Sequence, residues 1–580
     1  MDLYDRIFDL CKRRGIIFPS FEIYGGVSGF YDYGPLGAIL KRNIEDKWRD
    51  IFVRREGMVE IEASLVMPSV VFEASGHVEH FTDLMTQCVE CKKAFRTDTI
   101  LSERGIKIRE GATAREIDEL IINNEVTCPD CGGNLSPSEP FNLMFQVEIG
   151  PYGRTIKGYG RPEAAQGQFV NFKRVYAAMR ERLPLGIAQI GRCMRNEISP
   201  RKGPIRLREF TIIDYEVFLD PEESKYPRIE LVENVLLRII SAEEQEKGLE
   251  QVSIVTVNQA LESGLIKSEA LAYFMALASH FIEDLGIPKD KQRFREQLPD
   301  ERAHYSLQTF DQEVWLERWG WTEISGHAYR TDFDLSRHMT YSGEDLRVYK
   351  SFEKPKSIKI PVINPNREKI REDFGRQANN VLKMLSNSDV FTVKGSLERS
   401  GFYELPGKKG IRLDNKHLEV LFRTEEVQGR WFIPHVAEPS FGIDRIFYAV
   451  LEYSHEKRRK RTVLKLPRDI APIKAAIYPL VNKDGLPEFA QKIYSLLIDE
   501  GFWAEYDDSG SIGRRYARAD EVGVPICITI DYQTIEDDTV TLRDLETWKQ
   551  VRVKVDKLSI LLKDYLNKKI VFEDLGIKLN

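Results

Sequence analysis

Residues 187–218 read IAQIGRCMRNEISPRKGPIRLREFTIIDYEVF. Two alternating segments flank a tight basic loop, and the charges fall on one parity. Cys193, Arg195 and Glu197 share it in the first segment, and Arg206, Arg208, Phe210, Asp214 and Glu216 share it in the second. Side chains two apart on a strand project to one side, so the spacing predicts a hairpin that lines one surface with arginines, carboxylates and an aromatic ring. Closely spaced guanidiniums suit phosphate oxygens, because each offers a planar fork of donors that stays charged. The alternative is a solvated, salt-bridged hairpin.

Working outward, RPEAAQG (161–167) sets Glu163 at the mouth of a helix over 164–173. There it could hold an ammonium group, or simply favour the helix dipole. Downstream, 431–438 alternates as a strand, and Pro439-Ser440-Phe441-Gly442 reads as the turn into a helix with Ile446, Phe447, Val450 and Leu451 buried. Arg445 lies in that helix's first turn beside Asp444, where a cation opposes the dipole unless an anion is near. Towards the N-terminus, glycine-rich 25–37 leads into a helix of about five turns marked by Leu40, Ile44, Trp48, Ile51 and Phe52. Residues 58–66 then alternate as a strand that closes at Pro68. Residues 310–335 are strand-like and carry Glu323, Gly326, Arg330, Asp332 and Asp334. Residues 220–308 read mostly as helix, with Ile229, Val232, Leu236 and Ile240 as a stripe, and 350–430 read as a second, mixed insertion. The basic run 455–461 reads as a linker. From Ala475 to Leu566 strands alternate with helices, which predicts a small α/β domain with its own sheet.

With 580 residues the chain is too long for one core. A hydrophobic share of 42% beside 30% charged residues is that of a globular protein, and no stretch approaches the ~18 apolar residues that span a membrane. The net charge of −7 leaves nucleic-acid contact to local basic patches. Four of the seven cysteines form two CxxC pairs, Cys88/Cys91 and Cys128/Cys131. Two such knuckles can give four thiolates around a tetrahedral zinc with no open position, a structural staple in a reducing, cytoplasmic setting. The alternatives are free buried thiols, or His77 or His80 as a ligand.

The strand closing at Pro68, the R-x-E hairpin and the G-I-D-R helix together resemble the three signature motifs of a class II aminoacyl-tRNA synthetase. In wording, FYDYGPLG (30–37), RPEAAQG (161–167), RNEISPR (195–201), REF (208–210) and EPSFGIDR (438–445) are similar to glycyl-tRNA synthetases of the archaeal and eukaryotic, homodimeric type. The resemblance implies an α+β fold: a class II antiparallel sheet flanked by helices, with a zinc-binding insertion and a C-terminal α/β anticodon-binding domain. It divides the catalytic domain into 1–86, 141–219, 310–350 and 431–466. Between these parts it sets the zinc-binding insertion at 87–140, a helical insertion at 220–309 and a second insertion at 351–430, with the anticodon-binding domain at 467–580.

The same resemblance implies activation of glycine with ATP and Mg2+ to glycyl-adenylate, then transfer to the 3′ end of tRNA(Gly), with diadenosine tetraphosphate as a side product. It implies a homodimer and neither membrane nor DNA as partner. Arg195, Glu197 and Arg445 are implied as catalytic. Arg195 would bind the α-phosphate, and Arg206 and Arg445 the distal phosphates. Phe210 would stack on adenine while Glu197 reads its amino group, and Glu323 with Ile324 would bind ATP through magnesium. Asn196, Ile205, Leu207, Arg208, Glu209, Gly442, Ile443 and Asp444 complete the implied ATP set. For glycine, Glu163, Asp214, Glu438 and Ser440 would hold the ammonium end, joined by Arg96, Phe210 and Gly442. Position 214 departs from the family's usual glutamate and is a methylene shorter.

Overall fold

The computed structural model describes residues 2–579 except 107, 109–111, 152, 201–202, 224, 250, 304–305 and 407–410. Its centre is a nine-stranded sheet. In chain order the strands are β1 (Val59–Glu60), β2 (Leu185–Met194), β3 (Glu209–Leu219), β4 (Leu236–Ile240), β5 (Ser253–Thr256), β6 (Gln292–Glu296), β7 (Gln308–Leu316), β8 (Gly320–Thr331) and β9 (His435–Gly442). They lie in the order β5-β4-β6-β7-β8-β9-β3-β2-β1. Only the β4–β6 and β1–β2 pairs are parallel.

Alternation sends the two faces to different fates. Odd positions of β3 and β9 (Ile213, Tyr215, Val217, Ala437 and Phe441) are buried under the helices α1 (Leu3–Arg14), α2 (Pro35–Arg49), α4 (Glu269–Asp284) and α6 (Ile443–Ser454). Rings interlock there: Phe52 stacks on Trp48 at 5.0 Å and meets Phe441 at 5.1 Å, while Tyr215 meets Phe274 at 5.3 Å. Full burial of each such side chain stabilises by about 1.5–3 kcal/mol, which makes this face the rigid support for the other. The opposite face carries α3 (Ala165–Ala178) and α5 (Phe333–Ser342) and leaves an open cleft beside them.

Four sequence expectations change. The stretch 220–308 is not a helical insertion: β4, β5 and β6 extend the central sheet. Leu236 is exposed while Leu237, Ile239 and Ile240 are buried, so a helical stripe had been read into a strand edge. The predicted strand 58–66 is split, because Val59–Glu60 joins β2 whereas Val66–Pro68 pairs with Ile156–Gly160 in a separate sheet. Pro439-Ser440-Phe441-Gly442 is not a turn but the end of β9. The β3–β9 ladder runs from Asp214↔Ser440 to Val217↔Ala437 without a pair at Pro439, which lacks the N–H to make one. The basic run 455–461 forms a hairpin, His455–Arg458 with Arg461–Leu464, not a linker. Arg461 meets Asp520 at 3.1 Å and Arg458 donates to the Glu546 carbonyl at 2.7 Å, so the hairpin docks on the C-terminal domain.

That domain has a six-stranded sheet whose first three strands, Ala504–Tyr506, Ala475–Pro479 and Ile526–Ile530, are parallel. Gln550–Lys554 and Ile577–Lys578 are strands that the sequence reading lacked. A separate compact unit spans Arg347–Ile433, with the long strands Val348–Pro365 and Leu418–Phe432 and a core around Val381, Leu385, Val393 and Leu413. Among the described residues no helix is long and apolar enough to cross a membrane.

Candidate active site

The cleft, about 600 Å³, opens over β3, β9 and β8. It gathers Arg96, Glu163, Arg195, Glu197, Ile205, Arg206, Leu207, Phe210, Asp214, Glu323, Ile324, Glu438, Ser440, Gly442, Asp444 and Arg445 from distant stretches of chain. Asn196, Arg208, Glu209 and Ile443 are not on its wall. Glu209 pairs with Arg192 at 3.0 Å on the outside, and Ile443 is buried in the core.

The parity argument for the hairpin holds in part. β2 ends at Met194 and β3 begins at Glu209, so Phe210, Asp214 and Glu216 share a strand face while Arg195, Glu197, Arg206 and Arg208 belong to the loop. That loop is shaped by its own backbone. The Arg195 N–H donates to the Arg208 carbonyl at 2.9 Å, and the Arg208 guanidinium spends Nε and Nη2 on the Glu197 carbonyl. Arg208 therefore braces the loop from behind. Arg195 donates through Nε to the Pro162 carbonyl at 3.0 Å, and its guanidinium lies 5.3 Å from the Phe81 ring and 5.2 Å from the Phe210 ring.

The arginines of the cleft gather at one end, each with carboxylates near it. At one end Arg96 arrives on the strand Ala94–Arg96, directly after the first CxxC knuckle, and pairs with Asp83 and Asp98 at 2.6 Å each. Burial, and then the neighbouring Arg96, lower the Arg206 guanidinium from its usual range, against the opposing pull of Glu197, Asp98 and Asp83. Arg445 donates to the Ile205 and Glu323 carbonyls and pairs with the Glu323 carboxylate at 2.9 Å. The carboxylate expected as one explanation of its place in the first turn of α6 is therefore present. Asp444 is spent on structure: it accepts from the Tyr33 hydroxyl and from the Thr211 N–H.

The other end is acidic. Glu163 accepts from Gln166 at 3.0 Å and faces His77 Nε2 at 3.4 Å, and His77 Nδ1 is in turn 2.8 Å from the Ser75 hydroxyl. Burial works against the Glu163 carboxylate, but His77 and Arg330 together hold it well below the usual range. Arg330, only 1% exposed, makes a two-pronged pair with Asp334 at 2.8 and 3.0 Å and donates to Glu438 at 2.7 Å. Burial outweighs that cation at Glu438, whose carboxyl is pushed up to about 7, with Asp214 and Glu163 adding to the rise. Gly326 and Ala328 stand opposite Ser440 and Glu438 on β8, so this end of the floor carries almost no side chain.

Asp214 lines the cleft and is also engaged within the protein. Its Oδ2 accepts from the Ala164 and Ala165 N–H groups at 2.6 and 3.0 Å, and its Oδ1 from the Ser440 hydroxyl at 2.5 Å. It satisfies the open N-terminus of α3 and ties that helix to β9. Asp214→Ala would strand two buried N–H donors and is expected to destabilise by about 1–3 kcal/mol, whereas Asp214→Asn keeps an acceptor and should cost less. Thermal melts of the two variants check the order, and equal loss in both would contradict it.

Sequence reasoning missed Phe81, Asp83, Gln166 and the role of Arg330. The (i, i+4) spacing of Arg330 and Asp334 was a usable signal, since a strand that runs into a helix brings the two together. The four cysteine sulfurs lie within 4.8 Å of one another, with Cys88–Cys131 at 3.5 Å and Cys91–Cys128 at 3.7 Å. Those gaps are far beyond the ~2.05 Å of a disulfide. They match the ~3.8 Å edge of a tetrahedron with metal–sulfur bonds of ~2.3 Å, so the donor set fits zinc.

Residues 160–357 match the family described as tRNA synthetase class II core domain (G, H, P, S and T), and residues 474–565 match the anticodon binding domain. The chain is 48% identical to the glycine–tRNA ligase of Aeropyrum pernix, with 99% of each chain covered. It is 45% identical to that of Methanocaldococcus jannaschii and 46% identical to that of Pyrococcus furiosus, with 97% of this chain and 99% of either relative covered. Among solved structures, prolyl-tRNA synthetase from Cryptosporidium parvum, complexed with halofuginone and AMPPNP, aligns with TM-score 0.51 at 11% identity over 98% of this chain and 77% of that one. That likeness is one of fold.

Proposed function

The chain belongs to the glycine–tRNA ligases, and on that premise we propose how its cleft divides the reaction. The family's enzymes join glycine to tRNA in two steps driven by ATP, and this chain is such a ligase. The clustering of arginines at one end of the cleft carries the assignment. Arg195, Arg206 and Arg445 make the end that receives the triphosphate, with Arg96, which the resemblance assigns to glycine, standing beside Arg206, and Glu163 and Glu438 make the end that receives the ammonium group of glycine.

In step one the glycine carboxylate attacks the α-phosphorus and pyrophosphate leaves. No protein nucleophile takes part. The work is alignment, and stabilisation of the charge that builds on the phosphoryl oxygens. Arg195 is fixed by the Pro162 carbonyl before substrate arrives, so little reorganisation is needed. Phe210 offers its face to adenine, and Glu197 Oε2, buried without a hydrogen-bond donor, is ready for the adenine amino group. Glu323 and Asp311 supply the hard oxygens that would hold magnesium, which draws charge from the departing phosphates. Glycine is selected by exclusion: the acids grip the ammonium, and a larger substrate is refused by steric conflict, a rejection that needs no editing step. The C-terminal domain supports tRNA binding through the anticodon-bearing end.

Glycine-dependent ATP–pyrophosphate exchange, followed by charging of tRNA(Gly), tests this reading. Exchange driven by serine or alanine and not by glycine would overturn it.

Two further assignments rest on particular residues. Cys88, Cys91, Cys128 and Cys131 hold a structural zinc. Metal analysis of protein purified without chelator is expected to find about one zinc per chain, lost in Cys88→Ser together with part of the thermal stability. Ile23 and Tyr24, 87% and 85% exposed, together with the exposed Leu65 and Val66, support a homodimer, which light scattering on the purified protein checks.

A further inference from the structure

Beneath the acidic end of the cleft lies a carboxyl group that the reaction does not use. Glu216 follows Asp214 by two residues on β3, so both point to the face covered by α3. The N-terminus of α3 is held by Asp214, and its Phe169 and Phe172 pack on Phe218 at 6.0 and 4.3 Å. Glu216 is therefore enclosed, with 0% exposure. Among the described residues neither of its carboxylate oxygens has a hydrogen-bond partner.

Two neighbours are notable. The register that pairs Asp214 with Ser440 and Val217 with Ala437 sets Glu216 beside Glu438 on the same face. Gln168, on α3, donates its amide to the Ile187 and Asp214 carbonyls at 2.7 Å each, and Ile187 is the cross-strand partner of Glu216. The Gln168 Oε1 is also buried with no donor. These buried acceptors have no donor, and for the Glu216 carboxyl that costs heavily unless a proton is present.

The charges facing Glu216 come from every element packed against it. β9 brings Glu438, β3 brings Asp214, and β8 and α5 bring Arg330 and Asp334, while Glu163, on the loop before α3, acts on Glu438. His77 serves Glu163, and His338 is bonded to Gln166 at 2.9 Å. Arg330 is committed to Asp334 and Glu438. One cation cannot neutralise the whole group, and an ammonium group arriving above it would add the missing positive charge.

We propose that Glu216 and Glu438 hold one proton between them in the glycine-free enzyme and expel it to solvent when the ammonium group of the substrate binds. Glu216 is then a positioning residue. Its proton keeps the empty pocket from carrying an unpaired buried charge, and its loss supplies a second carboxylate as the ammonium enters. The proton passes to buffer, and no other bond changes. The inference rests on the glycine pocket assigned above.

The test is calorimetry with two stable adenylate analogues, glycyl-sulfamoyl adenosine and acetyl-sulfamoyl adenosine, which differ only in the amino group. Titrations in buffers of different ionisation enthalpy at pH 7 count the protons exchanged. The glycyl analogue is expected to release about one proton and the acetyl analogue none. Across pH 6–8 the ratio of their affinities should rise by up to about tenfold per unit, a readout that needs no variant. In Glu216→Gln, whose amide can donate permanently to Glu438, the release should largely disappear and the pH slope flatten. Glycyl binding without proton release in the wild type, or undiminished release in Glu216→Gln, would overturn the proposal. Equal affinity for the two analogues would instead refute the ammonium pocket itself, and the proposal with it.

Discussion

Arg195→Ala is expected to lower glycine-dependent ATP–pyrophosphate exchange by about 10³-fold, with the thermal transition almost unmoved. The size follows from where charge develops. A donor aimed at oxygens that become more negative in the transition state is worth about 10²–10³ in rate, and a fixed guanidinium in a sheltered cleft lies at the upper end of that range. The selectivity follows from its surroundings. Arg195 stands in the hairpin loop and not in a strand, and its links to the fold are one bond to the Pro162 carbonyl and two ring contacts. Losing these leaves no buried charge and no cavity in the core. The loss should fall on the rate of adenylate formation more than on the KM for ATP, since Arg206 and Arg445, proposed for the distal phosphates, would remain. Arg195→Lys keeps the charge but not the planar fork, and should recover only part of the rate. Exchange within about threefold of wild type in the alanine variant would remove Arg195 from the α-phosphate.

Phe210, Asp214 and Ser440 show what the sequence makes legible and what it does not. The strand positions of Phe210 and Asp214 were readable, because β3 alternates apolar and polar residues from Ile213 to Val217 and a strand has only two faces, whereas the proline before Ser440 signals a turn where β9 in fact continues. Membership of the cleft was readable for Arg445, because a cation in the first turn of a helix needs an anion nearby. The structure adds that Glu323 is that anion before any nucleotide arrives. What could not be read is the tertiary assignment of polar groups. Asp214 lines the cleft and also carries the N-terminus of α3. That contact joins residues about fifty apart, and no local pattern encodes it. The stretch 236–240 failed for another reason: Val232, Leu236 and Ile240 fit helical spacing as well as Leu237 and Ile239 fit a strand. Only the pairing of β4 with β5 and β6 decides between them.

Arg330→Met is expected to cost about 3–5 kcal/mol of folding stability, the largest structural loss of any single change in the site. The cation is almost fully buried and makes three charge-assisted bonds, two to Asp334 and one to Glu438. Methionine fills much the same volume, so the loss is one of charge: two carboxylates remain buried without a counter-ion. The sign of the pH effect follows. Burial already holds Glu438 near 7, above the ordinary carboxylate range of the unfolded chain, so its proton favours the folded state in acid and that advantage fades as pH rises towards 7. Removing Arg330 raises the carboxyl further and steepens the dependence. The stability deficit of Arg330→Met should therefore be smaller at pH 5 than at pH 8, as read from thermal melts at the two values. A second change isolates the cause. Arg330→Met combined with Asp334→Leu removes one of the stranded acids and should be more stable than Arg330→Met alone. If the double variant is the weaker of the two, or the deficit is the same at both pH values, the residue's contribution is packing against Phe169 (5.3 Å from ring to guanidinium) and not compensation of the acidic pocket.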